Sequence, residues 1–191
     1  MSVYATILNR RSVRSFRQKK IALKILRQLV NAARVAPSGA NLQPCEFVVV
    51  DKIETLEKVF SALSWAGYIR PAGDPPEGKR PTAYIVVVVN KRKKPLCPEA
   101  DVSAAIENIL LVAQEKGLGS CWLGSIDRNK IRKALAIPLY CEIKYVVALG
   151  YPEEQPKLEK LKSSVKYWKD KRGRLHVPKR SLQEVLHKNK Y

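Results

Sequence analysis

The pattern of apolar and polar positions along this chain predicts helices and strands that alternate over most of its length. Apolar residues at helical spacing are the main signal for helices, which we predict over residues 3–9, 21–35, 53–63, 102–115 and 127–138. Asp101 is the predicted N-cap of the helix at 102–115. Short apolar runs predict strands at 47–50, 83–89 and 143–152. The run at 83–89 is unbroken, which indicates burial on both of its faces.

Two segments lack this periodicity. Residues 64–82 contain four prolines and three glycines, a composition that predicts an irregular loop. The stretch "KDKRGRL" near the C-terminus predicts a turn between two short extended pieces, one holding Tyr167 and Trp168. We therefore interpret residues 1–191 as one domain, with a C-terminal extension at 152–191 that wraps over its own body or over a partner subunit.

Composition and charge narrow the choice of function. The chain is 46% hydrophobic and 28% charged, as expected for a globular protein, and its longest apolar run is far too short to cross a bilayer. The N-terminus lacks the apolar stretch of a signal peptide, so we expect a cytoplasmic protein that does not bind membranes. A net charge of +19 favours nucleic acid, anionic membranes or phosphorylated small molecules as partners.

The four cysteines are not spaced as metal ligands. No C-x-x-C pair occurs, and a disulfide is disfavoured in a cytosolic chain of this size. We expect free, mostly buried thiols and no metal site.

The segment "RRSVRSF" (10–16) concentrates positive charge where no acidic residue occurs in the first 45 positions. Guanidinium groups bind phosphate through paired hydrogen bonds, and a hydroxyl between them adds a further donor. Arg10, Arg11, Ser12 and Arg14 therefore form a candidate phosphate site. The alternative is an ordinary solvated basic face.

Two further segments carry candidate binding groups. "APSGANLQP" (36–44) holds Ser38, Asn41 and Gln43, whose donors and acceptors could satisfy a polar heterocycle, although it could equally be a plain helix-to-strand connection. "GLGSCWLGSI" (117–126) is glycine-rich, which allows a backbone or a flat ring to approach closely. A helix C-cap also explains Gly117.

Together these segments resemble the FMN-dependent nitroreductase family. The resemblance rests on "RRSVRSF", "APSGANLQP", "AAIENILLVAQEKGLGSCWLG" and "HVPKRSLQEVLH", which occur in the order expected for that family. It extends from about residue 9 to 187 and is poor over 52–82. The resemblance implies a mixed α/β fold of the α+β class, with a central sheet flanked by helices. It also implies a homodimer that shares its flavin sites and an extended tail that wraps the partner subunit.

The resemblance also implies which residues contact FMN. Those expected at the phosphate are Arg10, Arg11 and Ser12, with Lys179 and Arg180 closing on it from the tail. Arg14 is expected to reach the ribityl chain and the pyrimidine edge, and a backbone amide near Leu123 and Gly124 to contact flavin N5. The residues expected around the isoalloxazine ring are Pro37, Ser38, Asn41 and Gln43. Two departures affect the acceptor pocket. Cys45 stands where many members have tryptophan, and residues 155–178 form a longer tail than a minimal member needs.

The implied activity is an oxidoreductase that passes hydride from NAD(P)H through FMN to a small aromatic, nitro or quinone-like acceptor. The flavin would carry the chemistry, so we expect no catalytic side-chain nucleophile or base, and Arg14 would favour the reduced anion electrostatically. Reductive dehalogenation or ene reduction at the same site is the main alternative. A basic nucleic-acid-binding module, with Tyr167 and Trp168 stacking on bases, is a weaker one because it gives the two polar segments no role.

Overall fold

The computed structural model describes residues 2–191, within which there are five α-helices and eight β-strands. The helices are α1 (Val3–Asn9), α2 (Leu23–Arg34), α3 (Ile53–Phe60), α4 (Pro98–Glu115) and α5 (Arg128–Leu135). The strands are β1 (Phe16–Arg17), β2 (Cys45–Val50), β3 (Ala83–Asn90), β4 (Gly119–Leu123), β5 (Cys141–Pro152), β6 (Lys157–Lys160), β7 (Trp168–Lys169) and β8 (Leu175–Lys179). This mixture of helices and strands confirms the predicted α+β class. None of the described helices is both long and apolar enough to span a membrane.

The main sheet is antiparallel and has β3 and β5 at its centre. β3 pairs with β2 on one side and with β5 on the other. β5 also pairs with β4 and, at Tyr151 and Pro152, with the two residues of β1. Ser12, just before β1, forms a β-bridge with Ser120 of β4, so the N-terminal segment lies beside the glycine-rich segment.

The residues of β3 alternate between two hydrophobic cores because successive side chains of a strand point to opposite faces. Ile85 and Val87 pack with α2 and α4, whereas Tyr84 and Val86 pack with α3 and α5. Each of these side chains is at most 1% exposed. Helices thus cover both faces of the sheet, as the unbroken apolar run at 83–89 predicts.

Two glycines make room for the N-terminal segment at the sheet edge. Gly119 of β4 lies directly opposite Gly150 of β5. A Cβ atom on Gly119 would lie 2.8 Å from the Val13 side chain, and one on Gly150 would lie 2.7 Å from the Phe16 ring. Both contacts are closer than real Cβ atoms allow, so Val13 and Phe16 can pack here only because these positions lack side chains.

The tail folds into a small second sheet. β8 pairs in parallel with β6 and antiparallel with β7, and the turn predicted around Gly173 joins β7 to β8. The His176 ring contacts Asp170 at 3.1 Å and Glu159 at 2.9 Å. Both carboxylates raise the pKa of the imidazole, and the hydrogen bond with Asp170 has the larger effect. The contacts described here are within one chain, and wrapping of a partner subunit stays a prediction.

Two predicted boundaries differ from the structure. α4 begins at Pro98 rather than after Asp101. Proline is favoured in the first turn of a helix because the backbone N–H groups there have no acceptor within the helix, so the N–H that proline lacks is not needed. The glycine-rich segment at 117–126 contains a strand, β4, which the sequence analysis did not predict. Its glycines lower strand propensity, but pairing with β5 outweighs that preference.

We expect Gly150→Ala to destabilise the protein, because the new methyl group would displace the Phe16 ring from a well-packed site. The free energy of unfolding should fall by about 1–3 kcal/mol, measured by urea denaturation. Gly67→Ala is the control, since a Cβ atom there meets nothing within 4 Å. Equal stability of the two variants would contradict the proposed packing.

Candidate functional site

The N-terminal arginine segment is held against the main sheet by backbone contacts. Ser12 forms a β-bridge with Ser120, and the Val13 N–H donates to the Ser120 carbonyl at 2.9 Å. The Arg14 N–H donates to the Glu154 carboxylate at the start of the tail. The segment therefore behaves as a short additional strand beside β4, and its path is fixed before any ligand binds.

The arginine side chains have few anionic partners. Arg10 pairs with Glu107 of α4 at 3.5 Å, and Arg11 donates to the Arg10 carbonyl. Burial, and then the neighbouring charge of Arg10, lower the pKa of Arg11. The Nε atoms of Arg11 and Arg14 are buried and lack a hydrogen-bond partner among residues 2–191, whereas the Nε atom of Arg10 is the one that faces Glu107. Buried donors without acceptors are costly, so this segment fits an anion that would accept from them.

A first cleft, of about 250 Å³, brings three of the predicted site residues together. Arg14 lines it with Leu123 and Gly124, which lie at the end of β4. The remaining lining residues are Ser64, Trp65, Ala66, Gly67, Arg70, Trp122 and Ser125. Sequence analysis did not identify Trp65 or Arg70 because they lie in the irregular loop at 64–82, and only the clustering of large side chains in that loop could have drawn attention to it.

The second polar segment folds into a tight loop before β2. The Gln43 N–H donates to the Ser38 hydroxyl at 3.0 Å, and the Gln43 side chain donates to the Asn41 carbonyl at 3.2 Å. Ala40, Asn41 and Gln43 all have positive φ angles, of 48°, 55° and 48°. Such angles are unfavourable for residues other than glycine, which indicates a loop held in shape by its surroundings.

This loop borders a second cleft, of about 240 Å³. Pro37, Ser38 and Gln43 line it together with Cys45. Asn41 is exposed and does not line this cleft. Three of the four residues predicted for this segment therefore lie together, and the fourth stands beside them on the same loop.

Asp101 of α4 forms a hydrogen bond with the backbone of the loop at 36–44. Its Oδ1 atom accepts a hydrogen bond from the Gly39 N–H at 2.8 Å, and the side chain is only 4% exposed. The Oδ2 atom is buried without a hydrogen-bond partner among the described residues. Sequence analysis assigned Asp101 to the helix N-cap and so missed this role. The available signal was that Asp101 is followed by apolar residues at 102, 104, 105 and 106.

The two clusters attach to different sides of the same helix. Asp101 contacts the loop at 36–44, and Glu107 pairs with Arg10. Six residues along an α-helix correspond to about 9 Å of rise and a rotation of about 120° between the two directions. The first and second clefts share no lining residue. Within one chain, therefore, the two clusters form separate half-sites.

Lys179 and Arg180 lie apart from both half-sites. They are exposed at the end of β8, where the Lys179 carbonyl accepts from the Leu161 N–H at 2.8 Å. The basic tail residues that share a groove with Arg14 are instead Lys169, Arg172 and Arg174, in a space of about 830 Å³. The predicted role of Lys179 and Arg180 at a phosphate stays a prediction.

Comparison with known proteins agrees with these features. The profile of the Nitroreductase family matches residues 7–151. A protein of Archaeoglobus fulgidus that carries the provisional name NADH dehydrogenase/NAD(P)H nitroreductase is 34% identical over 156 residues, which cover 78% of this chain and 84% of that protein. An iodotyrosine deiodinase of Thermotoga neapolitana is 28% identical over 182 residues, which cover 86% of this chain and 97% of that protein.

The fold is also similar to that of solved structures. The crystal structure of a nitroreductase with bound FMN from Bacteroides fragilis matches with a TM-score of 0.66 and 26% sequence identity. That match covers 86% of this chain and 95% of the other.

We expect Asp101→Ala to destabilise the protein, because it removes the acceptor of the half-buried Gly39 N–H. The loss in free energy of unfolding should be about 1–3 kcal/mol by urea denaturation. Asp101→Asn keeps an acceptor oxygen at nearly the same place and should lose less. An alanine variant as stable as the asparagine variant would show that the Gly39 contact contributes nothing.

Proposed function

Because this chain belongs to the nitroreductase family, we propose that it is an FMN-dependent oxidoreductase that passes hydride from NAD(P)H to a small aromatic, nitro or quinone-like acceptor. One observation carries the proposal beyond the family assignment. The Nε atoms of Arg11 and Arg14 are buried without hydrogen-bond partners among the described residues, and a flavin phosphate bound at the N-terminal segment could accept from them.

Arg10, Arg11 and Ser12 are the proposed phosphate-binding residues. Their backbone is fixed by the β-bridge between Ser12 and Ser120, so little ordering of the chain would accompany binding. Glu107 partly balances the charge of Arg10. The surplus positive charge nevertheless favours a dianionic group, and guanidinium groups suit its oxygen geometry.

The loop residues Pro37, Ser38, Asn41 and Gln43 are proposed to contact the flavin ring bound by a second copy of the chain. The separation of the two half-sites within one chain supports this homodimeric arrangement, since neither cleft contains residues of both clusters. A second copy could complete each site by placing its loop beside the arginine segment of the first. A protein that holds FMN as a monomer in solution would overturn this arrangement.

The reaction would draw its redox chemistry from bound FMN, which accepts and donates hydride. The chain would bind and orient the flavin and supply electrostatic stabilisation. Arg14 is the cation proposed to favour the reduced, anionic form, and a backbone amide near Leu123 and Gly124 is the proposed contact of flavin N5. Among the described residues that line the first cleft there is no histidine, cysteine or carboxylate, which supports a site without a side-chain base.

Reductive dehalogenation is the second candidate. The similarity to the T. neapolitana iodotyrosine deiodinase is the observation that favours it, since it extends over most of both chains. The same flavin half-sites would serve either reaction. A panel of nitroaromatic, quinone, halophenol and enone acceptors would separate the two candidates and would also test ene reduction.

The function is tested by reconstitution with FMN followed by anaerobic mixing with NADPH or NADH. We expect the visible absorbance band of the flavin to bleach and to return when a quinone is added. Failure to bind FMN, or bound FMN that neither nucleotide bleaches, would reject the proposed function.

We expect Arg10→Ala to weaken FMN binding by about 1.5–3 kcal/mol, because it removes charge-assisted hydrogen bonds to the phosphate. Quenching of flavin fluorescence on titration would measure the affinity. Arg17→Ala is the matched control, since Arg17 is an exposed arginine of β1 outside the cluster. Equal losses in the two variants would indicate a general effect of charge and would contradict the phosphate assignment.

A further inference from the structure

A groove of about 830 Å³, which we call the tail groove, is lined by Arg14, by the loop at 71–79 and by tail residues within 153–155 and 169–174. We propose that Arg172 and Arg174 form a subsite in this groove for the 2′-phosphate of NADPH, so that NADPH is preferred to NADH as the hydride donor. This inference rests on the proposed function, because it names the electron donor of the same flavin site. Both arginines lie outside the four sequence motifs.

The tail groove meets the first cleft at Arg14, which lines both spaces. Arg14 is the cation proposed to stabilise the reduced flavin, so one end of the groove lies beside the proposed flavin site. The volume of the groove falls within the usual range of small-molecule sites. A nucleotide that donates hydride in the first cleft could therefore extend its other end into the groove.

A tight turn of the tail presents the two arginines in a fixed arrangement. The Asp170 carboxylate accepts hydrogen bonds from the backbone N–H groups of Arg172 and Arg174, both at 2.9 Å. The Gly173 N–H donates to the Asp170 carbonyl at 2.9 Å, and Gly173 has a φ angle of 75°, which glycine adopts without strain. The backbone of the turn is thus fixed by its own hydrogen bonds, and the two guanidinium groups take no part in them.

Further contacts hold the tail across the groove from the loop. The Lys169 ammonium donates to the Ala72 carbonyl at 2.8 Å, and the ring centroids of Tyr167 and Tyr68 are 5.0 Å apart. The Arg14 guanidinium carbon lies 5.3 Å from the Tyr167 ring centroid, within the range of a cation–π contact. The groove is therefore formed before a nucleotide binds, which lowers the cost of ordering the chain.

The charges in the groove leave the two arginines without a counter-ion. Every carboxylate that lines the groove already contacts a cation or a backbone N–H; these are Asp74, Glu153, Glu154 and Asp170. By contrast, the guanidinium groups of Arg172 and Arg174 make no hydrogen bond or ion pair with any other residue among 2–191. Two unpaired cations on one short turn favour an anionic ligand.

A phosphate monoester is the group of a nicotinamide nucleotide that suits these cations best. It carries close to two negative charges at neutral pH and has three oxygen acceptors, and guanidinium groups bind such oxygens in pairs. Arginine also accommodates the 2′-phosphate of NADP in the Rossmann fold. NADPH has this group and NADH lacks it. The carboxylates in the groove would repel an extended polyanion, so nucleic acid fits the groove poorly.

The experiment measures kcat/KM for each donor, with benzoquinone as the acceptor. Wild-type protein should give a higher value with NADPH than with NADH. In Arg172→Ala and in Arg174→Ala the ratio of the two values should fall about tenfold, because charge-assisted hydrogen bonds to the 2′-phosphate are lost. The value for NADH should change little. Lys171→Ala is the matched control, since it removes an exposed positive charge of the same turn that does not line the groove.

A second readout does not depend on hydride transfer. Isothermal titration calorimetry would compare the binding of adenosine 2′,5′-bisphosphate with that of adenosine 5′-monophosphate. We expect wild-type protein to bind the bisphosphate more tightly, and the two arginine variants to lose about tenfold in that affinity while Lys171→Ala keeps it. FMN affinity should be equal in all four proteins, and thermal unfolding verifies that each variant is folded.

The outcomes distinguish this inference from the proposed function. If the arginine variants lose FMN affinity and keep their donor preference, the groove holds the flavin phosphate and the subsite is wrong. A wild-type preference for NADH, an unchanged ratio in both arginine variants, or an equal loss in Lys171→Ala would also overturn the subsite. In each of these cases the proposed function stands if bound FMN is bleached. If wild-type protein holds no FMN, the proposed function fails, whereas bisphosphate binding that depends on the two arginines would still support the subsite.

Discussion

The packing of Val13 and Phe16 over the opposed glycines Gly119 and Gly150 is the constraint on which the candidate site depends. It presses the N-terminal segment onto the edge strand, where the bridge between Ser12 and Ser120 aligns the two. The arginines on either side of Val13 are then positioned beside β4. A segment of high positive charge would otherwise extend into solvent, since its charges repel one another. The burial of Val13 and Phe16 therefore offsets the electrostatic repulsion among the arginines of the same segment.

Helix α4 adds a second level of organisation because it contacts both half-sites. Its apolar side chains pack in one of the two cores, while Asp101 and Glu107 reach the polar loop and the arginine segment respectively. Any shift of this helix would move both clusters together. The arrangement also explains why a buried carboxylate is retained in an otherwise apolar stretch: its acceptor is needed to hold a loop whose backbone angles are unfavourable.

Much of the fold follows from periodicity, and the departures have local physical causes. The strand at 83–89 could be predicted because an unbroken apolar run leaves few alternatives, and the motifs in their order identified the family. β4 could not, because its pairing with β5 is a long-range contact that its glycines conceal. Asp101 was misassigned because an acidic residue near a helix start resembles a cap. The contact of Tyr167 with Tyr68 joins distant segments, and no local pattern encodes it.

The cysteines differ sharply in their accessibility. All four are free, as expected, but only Cys97 is exposed, while burial raises the pKa of the other three thiols, that of Cys45 to about 11. Thiol reagents react with the thiolate, so a maleimide dye should attach almost exclusively at Cys97. The Cβ atom of Cys97 lies 3.6 Å from the point where a Gly39 Cβ would stand. The native sequence therefore provides a single attachment point for a fluorophore beside the polar loop, from which its movements could be followed without engineering a new cysteine.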